Sequence, residues 1–192
     1  MTQNMHGDIN AHRISRRRLQ ILVIGYNEDS CTSEARDAAY RVGAEIAKRG
    51  AILVTGGLGG VMEAASRGAY ENGGITLSII PQKEIDEANP YSTAVVATGI
   101  GHMRNFINVY SADGVIVVGG GAGTITEIAA AYIEGKPIVS LVGTGGAADT
   151  YAGQYMDDRE RIKIHAARTP SEAVEMLIRL IETSKNKQQR IE

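Results

Sequence analysis

Val115-Ile116-Val117-Val118-Gly119-Gly120-Gly121-Ala122-Gly123-Thr124-Ile125-Thr126-Glu127 is the stretch whose reading decides the fold. Four β-branched apolar residues in a row make a buried strand. The glycines behind them supply a turn, because only glycine takes left-handed or close-approach conformations without a steric cost. A helix starting at Thr124 then aims its free N–H groups and positive dipole end over that turn. Such an arrangement is an anion site, most often used for phosphate. Two readings of Glu127 stay open at this point. Thr124-x-x-Glu127 matches a capping box, and a carboxylate beside an anion site equally suits a functional role.

Working outward, apolar runs alternate with stretches of helical spacing. Strands are expected at Leu19–Gly25, Ala51–Thr55, Ile75–Ile80, Thr93–Thr98, 115–118, Ile138–Val142 and Arg161–His165. Helices are expected at Ser33–Arg49, Val61–Glu71, 101–112 and 124–134, with a last one opening at Thr169-Pro170-Ser171-Glu172, where a capping box joins a proline at the first helical position. Residues 81–92 and Gly143-Thr144-Gly145-Gly146 read as loops. Strands some 25–35 residues apart with helices between them imply βαβ units. The expected class is therefore α/β, a modified Rossmann-like, doubly wound and mainly parallel sheet with helices on both faces. Ligands of such sheets bind at the carboxyl ends of the strands, where both glycine-rich turns fall.

The 192 residues suit a single domain with a substantial core. That domain is expected over 19–184, between a flexible basic arm at 1–18 and a flexible tail at 185–192. The net charge of −2 is uneven: residues 1–20 hold four arginines against one aspartate, and the acidic surplus lies in the body. Neither a basic face nor an aromatic platform appears, so no nucleic-acid partner is expected. The single cysteine, Cys31, excludes an intramolecular disulfide and suits a reducing compartment. Ser15-Arg16-Arg17-Arg18-Leu19 resembles a twin-arginine signal, but the apolar run Ile21-Leu22-Val23-Ile24 is too short for one. A cytoplasmic protein without a membrane partner is expected, since no apolar run is long enough to span a bilayer.

The motif search excludes several chemistries. There is no G-x-x-x-x-G-K-[ST], and Gly25-Tyr26-Asn27-Glu28 lacks the dinucleotide pattern G-x-G-x-x-G. No G-x-S-x-G elbow is present. His6, His12, His102 and His165 form no metal-ligand spacing, so neither a metal nor a cofactor is expected. Two positive signals remain. Gly56-Gly57-x-Gly59-x-x-x-Glu63 repeats the spacing of Gly120-Gly121-x-Gly123-x-x-x-Glu127 at a distance of 64 residues. Two helix N-termini at those turns would hold different parts of one ligand. Arg104, early in the 101–112 helix, should face the same sheet edge with a planar cationic fork suited to phosphate or carboxylate.

Arg104 followed 23 positions later by Glu127 within the glycine-rich stretch resembles the Lonely Guy family of phosphoribohydrolases, part of the lysine decarboxylase-like (SLOG) superfamily. That family carries an R-K pair and a P-G-G-x-G-T-x-x-E motif, and residues 55–63 resemble its first glycine motif. The resemblance implies a Rossmann-like fold and, as activity, hydrolysis of a nucleoside 5′-monophosphate to base and ribose 5-phosphate. It implies Arg104 and Glu127 as the catalytic pair. Gly120, Gly121, Ala122, Gly123 and Thr124 would cradle the phosphate, with Gly56, Gly57, Gly59 and Gly60 as the second ligand-binding turn. It further implies a homo-oligomer, a dimer or larger. Asn105, Gly119 and Thr126 depart from the family's lysine, proline and acid. In these departures, and in the 143–146 loop, the chain resembles a sister branch that includes molybdenum-cofactor carrier proteins. That branch implies the alternative: a non-catalytic carrier or sensor of a phosphorylated ligand, such as a pterin phosphate.

Overall fold

The computed structural model describes residues 17–188. The arm expected at 1–18 therefore lies outside it, apart from its last two residues, as do residues 189–192 of the expected tail. Seven strands form one sheet: β1 (Gln20–Gly25), β2 (Ile52–Thr55), β3 (Ile75–Ile80), β4 (Ala94–Ala97), β5 (Gly114–Val118), β6 (Ile138–Leu141) and β7 (Ile164–Ala167). Their order is β4-β3-β2-β1-β5-β6-β7, and every adjacent pair is parallel. Parallel pairing requires a crossover after each strand. The crossovers contain α1 (Ser33–Lys48), α2 (Val61–Glu71), α3 (Arg104–Tyr110), α4 (Ala122–Ile133) and α5 (Gly146–Tyr151), and α6 (Pro170–Gln188) follows β7.

Alternation along the strands builds a core on each face. Ile21, Val23, Ile116, Val118, Val139 and Leu141 face α1, α2 and α6, which contribute Val42, Ile46, Val61, Val174 and Leu177. Leu22, Ile24, Val115, Val117 and Ile138 face α3, α4 and α5, with Val109, Ile128, Tyr132 and Ala148. Because both faces are covered, the central strands read as near-continuous apolar runs, and β5 is buried throughout as Gly-Val-Ile-Val-Val. The class is α/β, a doubly wound parallel sheet with three helices on each side.

Several boundaries differ from expectation, and the larger differences have local reasons. The last strand is Ile164–Ala167, not Arg161–His165, since Ile164 and Ala167 fit the sheet opposite Ile138 and Leu141. Arg161 instead donates its guanidinium to the Ile133 carbonyl at 2.7 Å and its amide to the Tyr132 hydroxyl at 3.0 Å. The 101–112 helix opens as a 3-10 turn at Gly101–Met103 and becomes α-helical only at Arg104. The 143–146 loop runs directly into α5, six residues long and too short for periodicity to reveal. The last helix continues to Gln188, past the boundary expected at 184. Arg17, placed in the arm from sequence, pairs with Asp113 at the amino edge of the sheet. Among the described residues no helix is long and apolar enough to cross a membrane.

Candidate functional site

The winding direction reverses between β1 and β5, so their carboxyl ends part and leave a crevice, the usual ligand position in an open α/β sheet. A cavity of about 310 Å³ lies there, at the lower end of ligand-pocket sizes. Gly25, Tyr26 and Asn27 from the end of β1, Leu58 from the β2–α2 turn, Met62 of α2, Arg104 and Asn105 of α3, and Gly121–Thr124 at the start of α4 with Glu127 of the same helix all line it.

The second glycine turn opens α4 two residues earlier than its sequence suggests. Gly121 is the N-cap and Ala122 the first helical residue, so Thr124 is already the third. The capping-box reading fails on this point. Thr124 sends its hydroxyl to the Gly25 carbonyl at 3.0 Å, tying α4 to β1 rather than capping its own helix. The first intrahelical acceptor is the Gly121 carbonyl, taken by the Ile125 amide at 3.0 Å. The amides of Ala122, Gly123 and Thr124 thus precede the helical ladder, and these residues line the cavity.

Behind the turn stands a β6–α5 clamp. The Thr144 hydroxyl accepts from the Gly119 amide at 2.8 Å and donates to the Leu141 carbonyl at 2.6 Å. The Ala147 and Ala148 amides donate to the Gly120 and Gly119 carbonyls at 2.8 and 3.0 Å. Gly120 is therefore part of the support, and it does not line the cavity.

The first glycine turn is differently committed. Gly60, the N-cap of α2, gives its amide to Glu28 Oε2 at 2.7 Å, so a carboxylate from the chain itself occupies that helix start. The Arg36 guanidinium at 2.8 Å, together with the Gly60 amide, holds the Glu28 carboxyl below its ordinary range. Gly57 donates to Thr55 Oγ1 and accepts from the Asn89 amide. Gly56 accepts from Arg104, and a Cβ on Gly59 would lie 2.9 Å from the Glu28 carboxylate. Of this turn Leu58 lines the cavity, while Gly56, Gly57, Gly59 and Gly60 do not. The matching sequence spacing is not a matching structure: Glu63 falls in the first turn of α2, but Glu127 falls in the second turn of α4.

Arg104 and Glu127 do meet. Their nearest atoms, Nη1 and Oε1, are 3.8 Å apart, and both side chains are buried. Arg104 Nη1 donates to Asn105 Oδ1 at 2.6 Å and Nη2 to the Gly56 carbonyl at 3.1 Å. Its Nε, also buried, has no partner among the described residues. Glu127 Oε1 accepts from Asn108 Nδ2 at 2.7 Å. Burial pushes the Glu127 carboxyl up to about 7, against the opposing pull of Asn108 and Arg104. Burial likewise lowers the Arg104 guanidinium, partly offset by Glu127. Sequence reading passed over Asn108, although it lies one helical turn after Arg104 on the same face of α3. It also passed over Tyr26, which carries no motif, and Met62, which lies in the 55–63 stretch but was given no role. Among the described residues no group of three or more His, Cys, Asp or Glu side chains could hold a metal.

Chemically, the crevice combines free helix-start amides for an anion, an apolar wall, and a buried carboxyl that changes charge near neutral pH. Comparison with known proteins agrees with the fold and the family. A protein of Archaeoglobus fulgidus is 50% identical over 123 residues, covering 64% of this chain and 80% of that one. The molybdenum cofactor binding protein of the phototrophic bacterium Rippkaea orientalis superposes with a TM-score of 0.77 at 32% identity, over 86% of this chain and 99% of that one. The molybdenum cofactor carrier protein of Chlamydomonas reinhardtii superposes with a TM-score of 0.75 at 31% identity, again over 86% and 99% of the two chains. The model of the SLOG cluster4 family matches residues 18–174, and the chain belongs to that family.

Proposed function

We propose that this protein binds a phosphorylated, nucleotide-like small molecule in the crevice and holds it without turnover, as a carrier or sensor. The phosphate rests on the amides of Ala122, Gly123 and Thr124, and the remainder of the ligand lies along Tyr26, Leu58 and Met62. The commitment of Arg104 carries the preference for a carrier. Its guanidinium bonds to Gly56 and Asn105, so it acts as a brace between the β2–α2 turn and α3 and is not held out toward a 5′-phosphate. The likeness to proteins named as molybdenum-cofactor binders and carriers supports a phosphorylated pterin as the ligand class.

One observation favours the second reading, hydrolysis of a nucleoside 5′-monophosphate to base and ribose 5-phosphate. Glu127 lines the cavity with its carboxyl near 7, the range in which a general acid or base works best at neutral pH. Its carboxylate form would stabilise an oxocarbenium-like C1′ or orient the attacking water. Incubation with AMP, GMP, CMP and a cytokinin monophosphate, followed by chromatography, separates the two. The carrier reading expects binding of a phosphorylated probe with no free base. Release of base by the wild type, lost about 10²–10⁴-fold in Glu127→Gln, would establish the hydrolase instead.

A further inference from the structure

Tyr26 follows β1 directly and forms part of the cavity wall. Its ring rests on bare main chain at two places. A Cβ on Gly119 would lie 2.3 Å from Tyr26 Cε2, and one on Gly146 would lie 2.4 Å from the hydroxyl oxygen. Both glycines also take positive φ, 61° and 51°, so no other residue suits either position. The backbone beneath is fixed as well, since the Tyr26 carbonyl accepts from the Val61 amide at 3.0 Å. A large aromatic ring is thus set in one orientation before any ligand arrives, and it remains only partly buried. The cavity has apolar groups in Leu58 and Met62, and also Arg104, 7% exposed, whose Nε has no partner among the described residues. An anion alone would leave the aromatic and apolar part of this wall without use.

We infer that Tyr26 is a stacking platform that selects phosphorylated ligands bearing a flat heteroaromatic ring over plain sugar phosphates. This rests on the phosphate position proposed at the start of α4. The preset ring loses little conformational freedom on binding, so its contact adds to affinity at small entropic cost. Stacking is tolerant of ring identity because every heterocycle offers a π face. Tyr26 therefore chooses a class of ligand and leaves the choice within that class to other groups.

The test is calorimetric titration of the full chain with AMP, 6-hydroxymethylpterin phosphate and ribose 5-phosphate. Wild type should bind a heterocyclic probe more tightly than ribose 5-phosphate. Tyr26→Ala and the bulkier Tyr26→Leu should weaken the heterocyclic probe about 5- to 150-fold, the span of base–aromatic stacking, and leave ribose 5-phosphate unchanged. Tyr26→Phe should behave as wild type. Equal weakening of all three probes, no weakening of any, or wild-type affinity for ribose 5-phosphate matching both heterocycles would overturn the stacking role alone. Failure of wild type to bind any of the three would overturn the phosphate site and the stacking role together.

Discussion

Glu127 is a carboxyl group whose surroundings decide its charge, and that decision is measurable as stability. Held at about 7 rather than 4.5, it keeps its proton in the folded chain over a range in which the unfolded chain has lost it. Folding therefore binds more protons, and the stability this residue contributes falls as pH rises from 4.5 to 7. Above that range the folded protein carries a buried carboxylate whose desolvation outweighs its attraction to Arg104 and Asn108. Glu127→Gln keeps an oxygen to accept from Asn108 and removes the charge. The variant should melt several degrees above wild type at pH 8, on the order of 2–3 kcal/mol, with the gap closing toward pH 5. Thermal melts across that range check this. A variant less stable than wild type at pH 8 would mean that the Arg104 ion pair outweighs burial. The proximity of Arg104 and Glu127 was legible in the motif. The Asn108 contact was not, because Asn108 lies outside both motifs, four residues beyond Arg104.

Helices α1 and α2 meet backbone to backbone. A Cβ on Gly68 would sit 1.9 Å from the Tyr40 carbonyl oxygen, and one on Gly43 2.0 Å from that of Ala65. Alanine inside a helix normally gains about 1 kcal/mol over glycine, but here the added methyl has nowhere to go. Gly68→Ala should push the helices apart and destabilise by about 1–3 kcal/mol, the usual range for overpacking. A lowered urea midpoint with an unchanged slope is the expected readout. At this scale the periodicity of α1 and α4 stood out in the sequence, since each carries apolar residues at helical spacing. The start of α2 at Val61 was legible as well, but α4 opens two residues before the expected Thr124, and the side chains that fix both starts were not legible. Glu28 reaches the amide of Gly60 across 32 residues, and Thr124 reaches the Gly25 carbonyl across 99. Both bonds are tertiary contacts without a local spacing. The same local pattern, glycines and then a glutamate, thus gives one helix start filled from within and another open to the crevice.

Across the whole molecule, the alternation of apolar runs with helical stretches was enough to read a parallel sheet wound both ways, and the glycine turns marked the edge that carries the crevice. What such patterning leaves open is which outer surfaces meet another chain. The exposed Met103, at the end of the 3-10 turn before α3, lies in one stripe with Ile107 and the exposed Tyr110 of α3, and on α4 Ile125, Ala129 and the exposed Ile133 form another. Met103, Tyr110 and Ile133 are 63, 58 and 54% exposed, and α3 packs beside α4. Exposed apolar residues on adjacent helices are a candidate surface for association. Both helices also line the crevice, so an interface here would lie next to bound ligand. We propose that a second copy of the chain covers these stripes, giving a dimer or larger assembly. Light scattering at micromolar concentration should return at least twice the 20.4 kDa chain mass. A double substitution, Tyr110→Asp with Ile133→Asp, adds charges that self-association would have to bury. It should shift the protein to monomer with little change in its far-ultraviolet circular dichroism, since both side chains point away from the core. A wild type that scatters as a monomer would refute the assembly. A variant that stays dimeric would place the interface on another face.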